Sequence, residues 1–208
     1  MQYRDLCGEK VSLLGFGAMR LDLSLNGIKQ SEEILDYYVG HGGNYFDTAY
    51  LYQGGKSERF LGNALRKHSR ESYYLATKLP PSRIKSMSDL DGLIGTQLSR
   101  LQTDYIDFFL LHNIHAENYP LVQRYGLYEL LREKQKAGVI RRLGFSFHDK
   151  PNLLREIVEK YNFDFAQIQM NYMDWTVQDA KYISKALSIS SCSSSVIGVK
   201  VSDVNTKR

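Results

Sequence analysis

Short apolar runs rich in β-branched and aromatic residues alternate with amphipathic stretches along the chain, and this alternation limits the fold more than any other feature. Seven runs read as strands: VSLLG from Val11, NYFDT from Asn44, YYLATK from Tyr73, YIDFFLLH from Tyr105, RLGFSF from Arg142, FAQIQM from Phe165 and SVIGVKV from Ser195. The stretches between them carry apolar residues at helical spacing. In LYELLREKQKAG, for example, Leu127, Leu130 and Leu131 recur on one face and Gly138 stands where a helix ends. Ser31, followed by Glu32 and Glu33, predicts an N-cap with two acids favoured by the helix dipole. Thr176 and Asp179, in TVQD, predict a capping box at the head of a sixth helix.

Strands alternating with helices imply βαβ crossovers and a parallel sheet. FFLL, from Phe108 to Leu111, is apolar on both faces, as a sheet covered on both sides requires. Two architectures compete. An open dinucleotide-binding sheet wants G-x-G-x-x-G after its first strand, but GFGAMR (Gly15 to Arg20) has arginine in place of the third glycine. Seven strand signals in 208 residues keep the pace of a (β/α)8 barrel, about 250 residues for eight units. The expectation is an α/β TIM barrel with about seven strands, incomplete at the C-terminus, its eighth unit missing.

Composition narrows the classes further. With 43% hydrophobic and 24% charged residues, the chain can bury a sizeable core as a single domain. No apolar run suits a membrane span, and MQYRDLCGEKVS lacks the apolar stretch of a signal peptide, so a cytoplasmic protein is expected. Cys7 and Cys192 form neither a disulfide framework nor a metal cluster. The net charge of +4 is mild and the basic residues are scattered, so no nucleic-acid partner and no metal are expected.

Barrel enzymes build their sites at the C-terminal ends of their strands. The polar residues at those ends are Asp47, then Lys78 in LATK, His112 in LLH, Ser146 and His148 in SFH, and Gln167, Gln169 and Asn171 in QIQMNY. Singly, each has a plain reading: a turn cap, a solvated lysine, a structural histidine. Three ionisable residues ending three consecutive strands converge on one rim, and that points to a site. A lysine paired with an aspartate in a partly dry pocket stays charged, and such a cation favours tyrosinate over tyrosine. The set reads as a tuned phenolic acid beside a neutral imidazole, suited to protonating a carbonyl oxygen. Tyr50 and Tyr52 both leave the strand end, and spacing does not choose between them.

GGNYFDTAYLYQGGKSERFLG resembles the signature of the aldo-keto reductase family, in which Asp-Thr-Ala precedes the catalytic tyrosine and a Ser-Glu pair opens the next helix. The resemblance runs from about residue 10 to about residue 187 and is of a bacterial type. It implies that Asp47, Tyr52, Lys78 and His112 are catalytic, with Tyr52 the acid and Tyr50 in a variable gap. It also implies a nicotinamide cofactor, NADP(H) or NAD(H), gripped at its carboxamide by Ser146 and Gln167, with Gly17, Met19, Arg20 and Asp47 near it. The substrate implied is a small-molecule aldehyde or ketone.

Two departures qualify the resemblance. Many members have Ser-Asn where this chain has Ser146-Phe147. After Leu187 comes a serine-rich patch, SISSCSSS (Ser188 to Ser195), and residues 188–208 read as an atypical tail in which VIGVKV stands in for the seventh strand. The expectation is therefore a truncated or altered reductase. Its rivals are a non-catalytic reductase-like chain serving as an interaction module, and a cofactor-free hydrolase or lyase using His112 and Asp47. The last leaves the Tyr52–Lys78 match unexplained.

Overall fold

A computed structural model describes residues 1–168 and 197–200. An antiparallel hairpin comes first, β1 (Tyr3–Leu6) with β2 (Glu9–Ser12). A curled sheet follows in the order β3 (Phe16–Gly17), β4 (Tyr45–Asp47), β5 (Tyr74–Leu79), β6 (Ile106–Ile114), β7 (Ile140–Phe147), β8 (Phe165–Ile168) and β9 (Ile197–Lys200). Strands β3 to β8 are parallel neighbours in chain order, which makes a six-stranded parallel half-barrel. Between them run α1 (Ile28–Gly40), α2 (Lys56–Leu65), α3 (Met87–Leu101), α4 (Tyr119–Arg124), α5 (Leu127–Lys136) and α6 (Pro151–Lys160). The expected strand-and-helix alternation and incomplete α/β barrel are what this architecture displays.

Strand side chains alternate between faces, and the two faces have different partners. Phe109, Leu111, Leu143, Phe145, Phe147, Ala166 and Ile168 pack outward, onto Leu90 and Ile94 of α3, Leu127 and Leu131 of α5, and Leu154 and Ile157 of α6. Phe46 and Leu75 likewise meet Leu35 of α1 and Leu61 of α2. The other parity, Ala76, Phe108, Leu110 and Phe165, packs inward against Leu6 and Val11 of the hairpin. The hairpin therefore plugs the barrel interior. Each fully buried aromatic in this layer contributes about 1.5–3 kcal/mol of burial. Gly144 belongs to it because a Cβ there would stand 2.6 Å from both the Phe165 ring and its carbonyl oxygen.

The inward parity, followed to the C-terminal ends of the strands, reaches Asp47, Lys78, His112, Ser146 and Gln167. Apolar residues fill the interior from below, and these polar ones crown it. That is why the rim collects the chemistry.

Three expectations need correction. VSLLG is not the first barrel strand: Val11 and Ser12 end the hairpin, Leu13 and Leu14 are exposed, and the barrel strand is Phe16–Gly17, inside GFGAMR. Val11 is apolar because it plugs the interior, not because it lies in the barrel wall. Ser31 is not an N-cap. The helix starts at Ile28, and the buried Ser31 hydroxyl donates to the Asp22 carbonyl at 2.9 Å, because Ser31, Leu35 and Tyr38 together form the buried face of α1. Finally, Ile197–Lys200 pairs antiparallel with β8 and does not extend the parallel series. Thr176, Asp179, Gln169, Asn171 and the serine-rich patch lie outside the described residues. Gly138 does follow the end of α5, with φ +80°.

Candidate active site

Lys78 is 3% exposed, and its Nζ donates to Asp47 Oδ1 at 2.5 Å and to the Thr48 carbonyl at 2.9 Å. The second Asp47 oxygen accepts from Gln167 Nε2 at 2.9 Å, across the interior from β8 to β4. The Asp47 side chain keeps 18% of its exposure. The carboxylate thus ties β4, β5 and β8 together at one level of the barrel.

Tyr52 opens a short 3-10 turn, Tyr52–Gly55, just beyond β4. Lys78 Nζ lies 5.0 Å from its ring centroid, and His112 meets the ring edge to face at 5.6 Å and 80°. Tyr50 points elsewhere: its ring lies under the Arg100 guanidinium at 4.5 Å, and its carbonyl accepts from Arg100 Nη1 at 3.2 Å. The two tyrosines that spacing left equivalent are separated by their neighbours.

Burial, with the Lys78 and His148 charges nearby, lowers the His112 imidazole to about 4, so it is neutral at pH 7. Its Nδ1 is buried and has no hydrogen-bond partner among the described residues. His148 is lowered as well, by burial and then by the charges of Lys78 and His115. A lysine ammonium, a phenol and a neutral imidazole therefore share one rim, and together they can donate a proton and a hydrogen bond to one small acceptor.

The β6 register shifts between Leu111 and Ile114, and Asn113 sits in that irregularity with φ +54°. Its backbone N–H donates to Ser146 Oγ at 2.7 Å, and among the described residues the Ser146 hydroxyl proton has no acceptor. Ser146 is the register partner of Gln167. Phe147, in the place where an asparagine is common, is 2% exposed and buried in the outer core. Gly17 pairs with Asp47 at the end of β3, while Met19 and Arg20 lie exposed in the loop beyond. So Asp47, Tyr52, Lys78, His112 and Gln167 come together, Ser146 stands beside them, and Arg20 lies out on the surface loop.

Sequence reasoning missed Gln53, Thr77, Gln97 and Arg100, and noted Glu58 only within the helix-opening Ser-Glu pair. Gln53 Nε2 donates to the Met19 and Leu21 carbonyls at 3.2 and 2.9 Å, fastening the β3 loop to the Tyr52 turn. Glu58, fully buried, accepts from Thr77 Oγ1 at 2.7 Å, Gln97 Nε2 at 2.9 Å and Arg100 Nη1 at 3.0 Å. The spacing of Gln97 and Arg100, three apart and so on one helix face, was the available signal.

A model of the aldo/keto reductase family matches residues 13–188. The uncharacterized oxidoreductase YqkF of Bacillus subtilis is 31% identical over 177 residues, covering 79% of this chain and 54% of that protein. Among solved structures, the aldo-keto reductase AKR11C1 from Bacillus halodurans in its holo form superposes with a TM-score of 0.70 at 30% identity, over 88% of this chain and 63% of that one. The aldo/keto reductase from Klebsiella pneumoniae in complex with NADP and acetate gives 0.60 at 28% identity, over 70% and 49%. The chain spans about half the length of the curated relatives it matches.

Proposed function

The chain belongs to the aldo/keto reductase family, and on that premise we propose that it reduces small aldehydes or ketones with a reduced nicotinamide cofactor. The observation that carries the proposal is the position of Tyr52, with the Lys78 ammonium 5.0 Å from its ring centroid and His112 edge-on at 5.6 Å. Tyr52 protonates the substrate oxygen. Lys78, held by Asp47 and the Thr48 carbonyl, favours the tyrosinate left behind. Neutral His112 donates a hydrogen bond that orients the carbonyl.

The residues present fit the amide end of a nicotinamide. Ser146 has a hydroxyl proton to give a carboxamide oxygen, and Gln167, its Nε2 engaged by Asp47, has Oε1 to accept from a carboxamide N–H. NADP fits the relative from Klebsiella pneumoniae solved with it. Bound there, the reduced cofactor supplies the hydride. Gly17, the register partner of Asp47, and Met19 and Arg20 in the loop beyond it are the residues of β3 and its loop proposed to lie near the cofactor. Phe147, turned into the core, adds no polar contact to it.

A second reading, a reductase-like barrel without turnover, draws on the antiparallel β9 laid on β8 where a parallel seventh unit is expected. One experiment separates the two. Purified chain is mixed with NADPH and a panel of small aldehydes and ketones, following NADPH absorbance and alcohol formation. Stoichiometric alcohol from the native chain, lost in Tyr52→Phe, supports the reductase. A folded chain that neither binds NADPH nor forms alcohol overturns it.

A further inference from the structure

The turn that carries Tyr52 is poorly suited to hold itself. Gln53, Gly54 and Gly55 have φ of +51°, +64° and +88° in succession, and for Gln53 that region is disfavoured. A left-handed run of this kind persists only when its surroundings impose it. On the β3 side the Gln53 amide is tied to the Met19 and Leu21 carbonyls. On the other side the Tyr50 N–H donates to the Lys78 carbonyl at 3.0 Å, and the side-chain tie comes from Arg100 of α3.

We propose that Arg100 is a positioning residue for the proton donor: its guanidinium clamps the Tyr50–Gly55 segment and so sets where the Tyr52 phenol stands relative to His112 and Lys78. The inference rests on the reductase reading above. The guanidinium donates to the Tyr50 carbonyl, covers the Tyr50 ring, and lies against Gly55, where an added Cβ would sit 2.4 Å from Cζ. It therefore touches the segment on both sides of Tyr52 in sequence. Glu58 holds it in that pose, its carboxylate accepting from Arg100 Nη1 while also accepting from Thr77 and Gln97. Gln97 Nε2 in turn reaches the Lys78 carbonyl at 3.3 Å. One buried carboxylate thus references both the tyrosine turn and the lysine strand to the same helix face.

A surface-type ion pair between α2 and α3 would serve stability alone. Arg100 differs because the planar fork and ring stacking that grip Tyr50 are properties lysine lacks. Arg100→Lys keeps the charge against Glu58 and removes the grip on the turn. Arg100→Met removes both.

The test uses the whole chain and two readouts, one of which needs no activity. The His112 imidazole C–H resonances, assigned by their loss in His112→Asn, report the edge-on Tyr52 ring. Displacement of that ring in Tyr52→Leu marks the direction of the effect. Arg100→Lys and Arg100→Met are both expected to shift these resonances toward the Tyr52→Leu position. In an active chain, kcat should fall by up to about 10²-fold with KM nearly unchanged, the cost of a misplaced catalytic group. Should Arg100→Met not fold, Arg100→Lys decides alone. Unmoved His112 resonances in folded Arg100→Lys overturn the proposal. Inactivity of every protein, the native chain included, counts against the reductase reading and leaves the resonance result standing.

Discussion

Tyr52 stands edge to face with His112, 5.6 Å between ring centroids, while Tyr50, two residues earlier, lies beneath Arg100. The two side chains leave the same turn in different directions. Only one of them reaches the rim where Lys78 and Asp47 pair.

Tyr52→Phe keeps the ring and its contact with His112 and removes only the phenolic proton. Turnover is expected to drop by about 10²-fold or more, the usual worth of a positioned general acid. Tyr50→Phe retains both contacts with Arg100, one made by the backbone carbonyl and one by the ring face, and should keep most of the activity. Steady-state rates of the two variants in one assay check the assignment, and equal losses would sink it.

Lys78→Met removes the cation beside Tyr52 and leaves Asp47, among the described residues, with the Gln167 side chain as its remaining side-chain partner. Breaking a fully buried pair costs about 3–5 kcal/mol, and less is expected here because Asp47 retains Gln167 and some exposure. Adding Asp47→Asn should recover part of the loss. Urea unfolding of the single and double variants measures it, and a double variant weaker than Lys78→Met would contradict the account.

His112 is neutral in the fold, its imidazole lowered to about 4 against an ordinary 6.5. Between those values the unfolded chain binds a proton that the folded one does not, so stability must fall as pH drops from about 6.5 to 4. The largest contribution is about 3 kcal/mol, from a shift worth about 1.4 kcal/mol per pH unit. His112→Asn should flatten this part of the stability–pH curve relative to the native chain. A midpoint near 6.5 in an NMR titration of His112 would exclude the effect.

Two glycine-to-alanine changes should have opposite signs. Gly92, exposed within α3, has nothing within 4 Å of an added Cβ, so Gly92→Ala should stabilise by about 0.5–1 kcal/mol through helix propensity. Gly62, within α2, would place its Cβ 2.2 Å from the Arg100 carbonyl oxygen. That atom is backbone and cannot swing aside, so Gly62→Ala should destabilise by about 1–3 kcal/mol despite the same propensity gain. Thermal melts of the pair decide it.

The alternation of strands and helices was legible in the sequence because it follows from local periods of two and 3.6 residues, and a parallel sheet is what such a string can form. The same period of two set Asp47, Lys78, His112, Ser146 and Gln167 on one face once their strands lay in register, so most of the candidate site could be found from strand ends alone. Tertiary structure decided what depends on a distant partner. Val11 looks like a barrel strand locally, but it plugs the interior, where it packs in one cluster with Phe108 and Phe165. Ser31 looks like a cap, but it faces inward because Leu35 and Tyr38 bury that side of α1. Glu58 and Arg100 lie 42 residues apart, and no short-range pattern couples a helix-opening glutamate to an arginine on the next helix. Tyr50 and Tyr52 share a side-chain type and lie two residues apart, and only the resemblance separated them in the sequence; in the fold Arg100 covers the Tyr50 ring while Lys78 and His112 lie against that of Tyr52. Local propensity is encoded residue by residue, whereas the direction of a side chain leaving a turn depends on which groups the rest of the chain brings within hydrogen-bonding reach.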